Sequence, residues 1–437
     1  MFGPRARTIA FGVALWGVTS GPAPVAALDL PEALRQAADA NPSLAARAAM
    51  VDAARRRVAP AGAWAAPMLE LGVVNVPTSG AFNLDPMTMK MVGVSQRVPV
   101  FGSNRLARRA AREAVTRETA GAELVRYEIL GMTWEAYADA RHAGQLAALA
   151  EAHVGVMDRL VLSARARFES GNGRLEDLLR AQAERASTER DAAMYRAEER
   201  SGRARLDALR GLPAGTDADT LAPLPETPDT AAVVWRAAVS AVHPRLRAID
   251  AEVSRYRLSA RSARRMAWPD LELRASYGVR ERLLQPGHGT TMDQDNMVSA
   301  SVGFMLPIFA GARGAEGAEM DAMARATEAE RRGAELDLLR EVESAHAAAA
   351  AARQSVRLIA DTVIPVQSRA VEASWSSYRA GVTDLWRVFE STHALYDQAT
   401  ALIRARHDLA RAQARLISLT GRADLLGIAL AGTRSER

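Results

Sequence analysis

The sequence predicts a mainly α-helical chain with a small β part, built twice over. Three observations carry that prediction. No proline occurs between Phe101 and Leu212, and only Pro365 falls in the corresponding later stretch. Two phrases, "APMLELGVVNVP" (66–77) and "WPDLELRASYGV" (268–279), each open a short run in which apolar and polar residues alternate. Landmarks also recur in one order. Pro67 and Pro269 stand 202 residues apart, Pro99 and Pro307 stand 208, and the pairs Gly171/Gly381 and Gly211/Gly421 stand 210. A constant order with slow drift marks an internal duplication. The repeats run from 28 to 225 and from 226 to 437, with "GLPAGTDADTLAPLPETPDT" (211–230) as the linker.

The chain opens with Arg5 and Arg7, an apolar run from Ile9 to Val18, and small residues up to Ala26 and Ala27. That is the three-part order of a secretory signal, so residues 1–27 are expected to be removed on export. No later stretch reaches the ~20 continuous apolar residues of a membrane-spanning helix. There is no cysteine, which excludes disulfides, thiolate metal sites and a lipidated N-terminal cysteine.

Each repeat then has the same internal order. The first helix is expected from Pro31 to Ala61, with Asp29 as N-cap and Glu32 three residues on. A β-hairpin follows. Next come helical stretches from Asn104 to Phe168 and from Leu175 to Leu209, matched in the second repeat by Gly314–Tyr378 and Asp384–Leu419. Apolar residues recur at three- and four-residue steps, as at Leu175, Leu178, Leu179 and Ala183, and alanine dominates the seams. Such length and period favour coiled-coil packing. Glycines in "RFESGNG" (167–173) and "SYRAG" (377–381) supply the positive φ of a helix C-cap, so each break should reverse the chain into an antiparallel helical hairpin.

The strands carry the most information. Leu271, Leu273, Ala275, Tyr277 and Val279 share one face, opposite Glu272, Arg274, Ser276 and Gly278. Val298, Ala300, Val302, Phe304 and Leu306 alternate likewise. In the first repeat, Leu69, Leu71 and Val73, then Val92, Val94 and Val98, oppose polar or small residues; Gln96 interrupts that apolar face. Strict alternation over ~10 residues fits a tilted transmembrane strand. Four strands cannot close a barrel, and open edges in lipid leave backbone groups unpaired. Two chains would close eight strands with little lumen, whereas three would close twelve around a passage. The full expectation is a trimeric, twelve-stranded transmembrane β-barrel, four strands per chain, continued by a long α-helical coiled-coil barrel. Two hairpins packed on the helices of a soluble periplasmic scaffold fit the same alternation.

With these parts in order, the chain resembles the TolC family of outer-membrane efflux channels. The resemblance rests on "LPEALRQAADANPSLAA" (30–46), "PMLELGV" (67–73), "VSQRVPVFGSNRLARR" (94–109), "PDLELRASYG" (269–278) and "YRAGVTDLWRVFESTHALY" (378–396). It implies a homotrimer in the outer membrane of a Gram-negative cell with a periplasmic helical extension. The implied partners are a periplasmic adaptor (membrane fusion) protein and an inner-membrane pump of the RND type. "DPMTMKMVGVSQRVPVFG" (85–102) is most similar to the heavy-metal efflux members. The resemblance makes Gly171, Gly173 and Gly381 the periplasmic tip that meets the adaptor. It also makes Asp384 and Glu390, with Asp177 in the first repeat, candidates for the constriction. Arg387 stands where other members carry an acid, and an Arg–carboxylate latch between subunits would suit a closed state. Ordinary solvated helix charges account for the same four residues. The same channel fold also serves type I protein secretion.

Other chemistry is thinly signalled. Met87, Met89 and Met91 alternate onto one strand face, where thioethers could relay a soft cation or merely pack. Acidic residues are interspersed among the arginines of a chain with net charge +5, which speaks for solvated helix faces over nucleic-acid binding. The seven histidines are scattered, and "AGARGAEGA" (310–318) lacks the glycine–lysine–hydroxyl ending of a phosphate loop. No enzyme and no cofactor are expected.

Overall fold

The structure, a computed structural model, describes residues 27–78, 83, 85–215, 220–240, 243–284, 289–304 and 310–428. The expected export signal lies outside the described residues, apart from Ala27. In chain order the elements are α1 (Leu30–Ala40), α2 (Pro42–Ala61), β1 (Met68–Val74), β2 (Met89–Val98), α3 (Ser103–Glu169), α4 (Leu175–Leu209), α5 (Ala232–Ser240) and α6 (Pro244–Met266). There follow β3 (Leu271–Arg280), a two-residue ladder of β4 (Leu283–Leu284) with β5 (Thr291–Met292), β6 (Met297–Phe304), α7 (Ala310–Leu358), α8 (Ile364–Arg379) and α9 (Leu385–Thr420).

The expected single helix from Pro31 to Ala61 is two helices. Asp29 caps α1 as predicted, its Oδ1 accepting from the Glu32 N–H at 2.8 Å. The break falls at Asn41, because the residue before a proline is pushed out of the α region; its ψ is 123°. Asn41 then caps α2, accepting from Ser43 N–H at 2.9 Å, and donates from Nδ2 to the Leu209 carbonyl at 2.8 Å. The second repeat breaks at the equivalent His243, 202 residues on. There Nδ1 accepts from Arg245 N–H at 3.2 Å and Nε2 meets the Leu419 carbonyl at 2.7 Å. One imidazole thus performs both tasks of the asparagine amide, tying a helix start to the end of the long hairpin.

Helix α3 has 67 residues and is about 100 Å long at 1.5 Å per residue. It packs along α4, α6 and α9, and small residues let the axes approach. A Cβ on Gly202 of α4 would meet the Ala140 backbone at 2.9 Å, and one on Gly131 of α3 would meet the Ala414 carbonyl oxygen at 2.9 Å. In the second repeat the matching helix is continuous but carries a π-helical turn, Ile359–Val363, just ahead of Pro365. A proline lacks an N–H and crowds the carbonyl four residues back; the wider turn absorbs both effects without a break.

The principal core gathers where both repeats meet the linker: Leu30, Leu34, Trp134, Tyr137, Trp235, Leu246, Val342 and Ile417 are all buried there. The linker is pinned, since Leu28 and Leu221 form a parallel bridge and the Tyr137 hydroxyl bonds both the Leu28 and Ala222 carbonyls at 2.8 and 2.7 Å. A second core, nearer the hairpin ends, is Met157, Leu160, Leu178, Leu385 and Val388.

Burial pushes the pKa of His243 down, against the pull of the Leu419 carbonyl. A histidine disfavoured as a cation in the fold contributes stability above its ordinary pKa of about 6.5 and loses it as pH falls below. Thermal unfolding of H243A at about pH 7 should therefore show a loss of about 1–2 kcal/mol, from the cap and the buried bond. H243N should keep most of the stability and lose this share of the acid sensitivity.

Candidate functional site

The two hairpins join through β2 and β3 into one antiparallel sheet, ordered β1-β2-β3-β6. Its register stacks side chains in rows across all four strands. Leu71, Val92, Tyr277 and Val298 form one row, and Leu69, Val94, Ala275 and Ala300 the next. No described residue of the chain covers this face: Leu71 is 75% and Val298 79% exposed. Two polar residues of β2 share that face: Lys90, in the row Val73–Lys90–Val279 at one end, and Gln96 toward the helix-side end, where its Nε2 donates to the Ala65 and Arg97 carbonyls at 2.8 Å each. Its amide is satisfied locally, so the interruption is benign.

The opposite face is polar. Arg274 Nη2 lies 3.3 Å from both Glu70 and Glu272, and the Ser95 hydroxyl donates to Glu70 at 3.1 Å. Met89 and Met91 share this face, Met91 in the row Gly72–Met91–Gly278–Met297. Met87 does not join them. It precedes β2 in a turn, its N–H bound to the Asp85 carboxylate at 2.7 Å and its carbonyl to Asn75.

Aromatic rings gather at the helix-side end of the strands. Trp64 precedes β1, Phe101 follows β2, and Trp268 precedes β3; all three are exposed, and the Phe101 and Trp268 ring centroids are 5.2 Å apart. Aromatic rings at the end of an apolar strand face, here two amphipathic indoles and a phenyl, are the pattern of a membrane interface. At the other end, the only lysine, Lys90, pairs with Glu281 at 2.5 Å. No helix among the described residues is long and apolar enough to cross a membrane.

The far ends of the helical hairpins are built twice from one motif. Gly171 and Gly381 have φ of 74° and 75°. The N–H of the following residue, Asn172 or Val382, reaches back to the Arg167 or Ser377 carbonyl at 2.8 or 2.9 Å, closing a Schellman turn. Gly173 is needed for space: a Cβ there would lie 2.9 Å from the Phe168 nitrogen.

Beyond the second turn, Asp384 is the N-cap of α9, accepting from Arg387 N–H at 3.1 Å. The Arg387 guanidinium donates to Glu390 at 3.2 Å along the same exposed helix face. Asp177, in the first turn of α4, lines a small cleft with Leu160, Arg180, Leu385, Trp386 and Phe389, and Arg180 lies over the Trp386 ring at 5.1 Å. Within one chain, then, Arg387 meets Glu390 and the Asp384 cap, while Asp177 stands by the aromatic pair.

Sequence reading missed the histidines. His142 of α3 stacks on His407 of α9, and His153 of α3 stacks on Tyr396 beside His393. Only the pairing of α3 with α9 brings these residues together, and no local spacing announces it.

A family model described as outer membrane efflux protein matches residues 33–212 and 237–422. Outer membrane efflux protein BepC of Brucella suis biovar 1 (strain 1330) is 27% identical over 314 residues, which make up 69% of this chain and 65% of that relative. The chain thus spans slightly under two thirds of that relative's length. Among solved structures, the outer-membrane channel OprN superposes with a TM-score of 0.74 at 18% identity over 90% of each chain. The outer membrane protein VceC from Vibrio cholerae gives 0.73 at 17%, over 90% of this chain and 96% of that one. At these identities the structural likeness is one of fold.

The cap geometry makes a separable prediction at the tip. D384A should lower thermal stability by about 1 kcal/mol through the lost cap, while D384N, an equally good cap without the charge, should not. Comparing the two melting curves isolates the structural role of this carboxylate from any role of its charge.

Proposed function

Since the chain belongs to the outer membrane efflux protein family, we propose that three copies form a passive exit duct through the outer membrane. On this reading each copy lends four strands to a twelve-stranded barrel, with the Leu71 and Val298 face toward lipid and the Glu70, Glu272 and Arg274 face toward the lumen. The helical hairpins continue the duct into the periplasm. A periplasmic adaptor would meet the ends marked by Gly171, Gly173 and Gly381, and an inner-membrane pump of the RND type would deliver cargo. Transport then needs no active-site chemistry in this chain, in keeping with a family of channels.

The observation that carries this reading is the sheet itself: one face apolar except for Lys90 and Gln96 near its two ends and uncovered by the described residues, the other polar, and both edges unpaired among the described residues. A β3 strand of 10 residues is about 33 Å long and, tilted, fits the hydrocarbon thickness. Asp177, Asp384, Arg387 and Glu390 lie near the hairpin ends, where threefold symmetry would turn each into a ring of charge. Arg387 facing a neighbour's carboxylate would hold such a ring shut.

Among cargoes we favour heavy-metal cations, on the phrase at 85–102 and the soft thioethers of Met89 and Met91 on the lumenal face. A deletion strain grown on copper, zinc, cobalt, cadmium and hydrophobic drugs should lose tolerance to metals first. Loss of drug tolerance alone would reject the cargo and leave the duct standing.

Two substitutions test the sidedness. L71R places a charge on the lipid face at a cost of about 2–4 kcal/mol per chain near the midplane, and should abolish recovery in the outer-membrane fraction. S276R, on the opposite face, should still assemble. If L71R sediments with outer membranes like the parent, the sidedness is wrong.

A further inference from the structure

Helix α3 belongs to the first repeat and α9 to the second, and their seam joins the two. Along it lie two histidine pairs about 16 Å apart, the length of eleven helical residues. In the first, the His142 and His407 rings stack at 4.2 Å with 16° between their planes. In the second, His153 stacks on Tyr396 at 4.2 Å, and His393 lies 6.0 Å from His153.

In both pairs the ion-pair contacts fall to the α9 histidine, although Asp139 also bears on His142 and Asp397 on His153, and His393 Nδ1 lacks a hydrogen bond among the described residues. His407 Nε2 is 2.7 Å from Asp139, which Arg205 of α4 also approaches at 3.3 Å; Arg411 and Arg404 complete the charged surroundings. His393 lies 3.4 Å from Glu184 of α4 and 3.8 Å from Asp397. Asp191 and Tyr195 of α4 and Arg404 and Asp408 of α9 face the same groove, whereas α7 and the π-helical turn after it bring only Ala352, Ser355 and Ile359 among the described residues. On the α3 side, His142 Nδ1 and His153 Nε2 are buried without a hydrogen-bond partner among the described residues, and His153 is only 5% exposed.

A neutral imidazole tolerates one such bare nitrogen, but an imidazolium presents two N–H donors, and a buried unpaired one is costly. A charge on both members of a pair would set two imidazoliums 4.2 Å apart in the first and 6.0 Å apart in the second. We propose that these two pairs are an acid-sensitive clasp between the repeats: charging the α3 histidines parts α9 from α3. Burial, and then the neighbouring histidine, press both groups the same way, with His142 and His153 each lowered from 6.5 to about 4. The sign follows from linkage. Their contribution to the seam is whole above about pH 6.5 and is lost as pH falls toward 4. The device needs neither the duct nor a particular cargo.

Because the chain has no cysteine, A401C offers a single site for a nitroxide label in the groove beside the second pair. In the full-length protein the label should be immobile at about pH 7 and become mobile, reversibly, by about pH 4. In H142F/H153F, which keeps flat rings but cannot be charged, that mobilisation should be lost. If the double variant responds as the parent does, neighbouring carboxylates drive the change and the clasp is refuted. A parent label that never mobilises refutes it equally. Should the double variant fail to fold, H142F and H153F taken singly must each weaken the response; an undiminished response in both overturns the proposal.

Discussion

Unpaired backbone groups at the edges of the sheet are the constraint on which everything else in this molecule hangs. β1 and β6 each offer a row of N–H and C=O groups that no described residue of the chain pairs. In water such an edge is a liability; in hydrocarbon each bare group costs several kcal/mol. If the apolar face meets lipid, as proposed, the sheet must find its edge partners in further copies. On the proposed reading, oligomerisation is therefore the condition under which the strands can exist at all.

The helices follow from the same need at one remove. A barrel that must be reached across a compartment requires a long conduit, and length in a helix needs packing all along it. The sequence supplies that packing with alanine and glycine at the contacts, as Gly131 and Gly202 show by the space they leave. It supplies it twice. Asn41 and His243 make the same two bonds at equivalent places, anchoring the start of α2 and of α6 to the ends of α4 and α9. Duplication also creates a seam, α3 against α9, where unlike halves meet; there the chain has placed most of its histidines.

Much of this was legible in the sequence because long-period signals are robust. The bounds of α4 were readable to the residue, since glycine and arginine precede a clean run and no proline interrupts it. The strands were legible from alternation alone, and the open-edge argument followed by counting. The break at Asn41–Pro42 was overlooked because the helical period continues across it, although the proline was in plain view. Met87 was assigned to a strand because alternation extends one step past the ladder into an Asp85-capped turn. Neither the β2–β3 pairing nor the histidine stacks could be read at all. They join residues from 173 to 265 positions apart, and the chemistry of a lone histidine on a helix says nothing about what will face it. At the tip, the glycine turns were legible from composition, whereas the capping role of Asp384 competed with a functional reading that the local geometry does not require.

The most direct test of the central claim is a native mass spectrum of the exported chain extracted from outer membranes in detergent. The account predicts one dominant species of three chains that releases single chains only on denaturation. Single chains that leave the membrane fraction with salt, and stay folded in water without detergent, would contradict it.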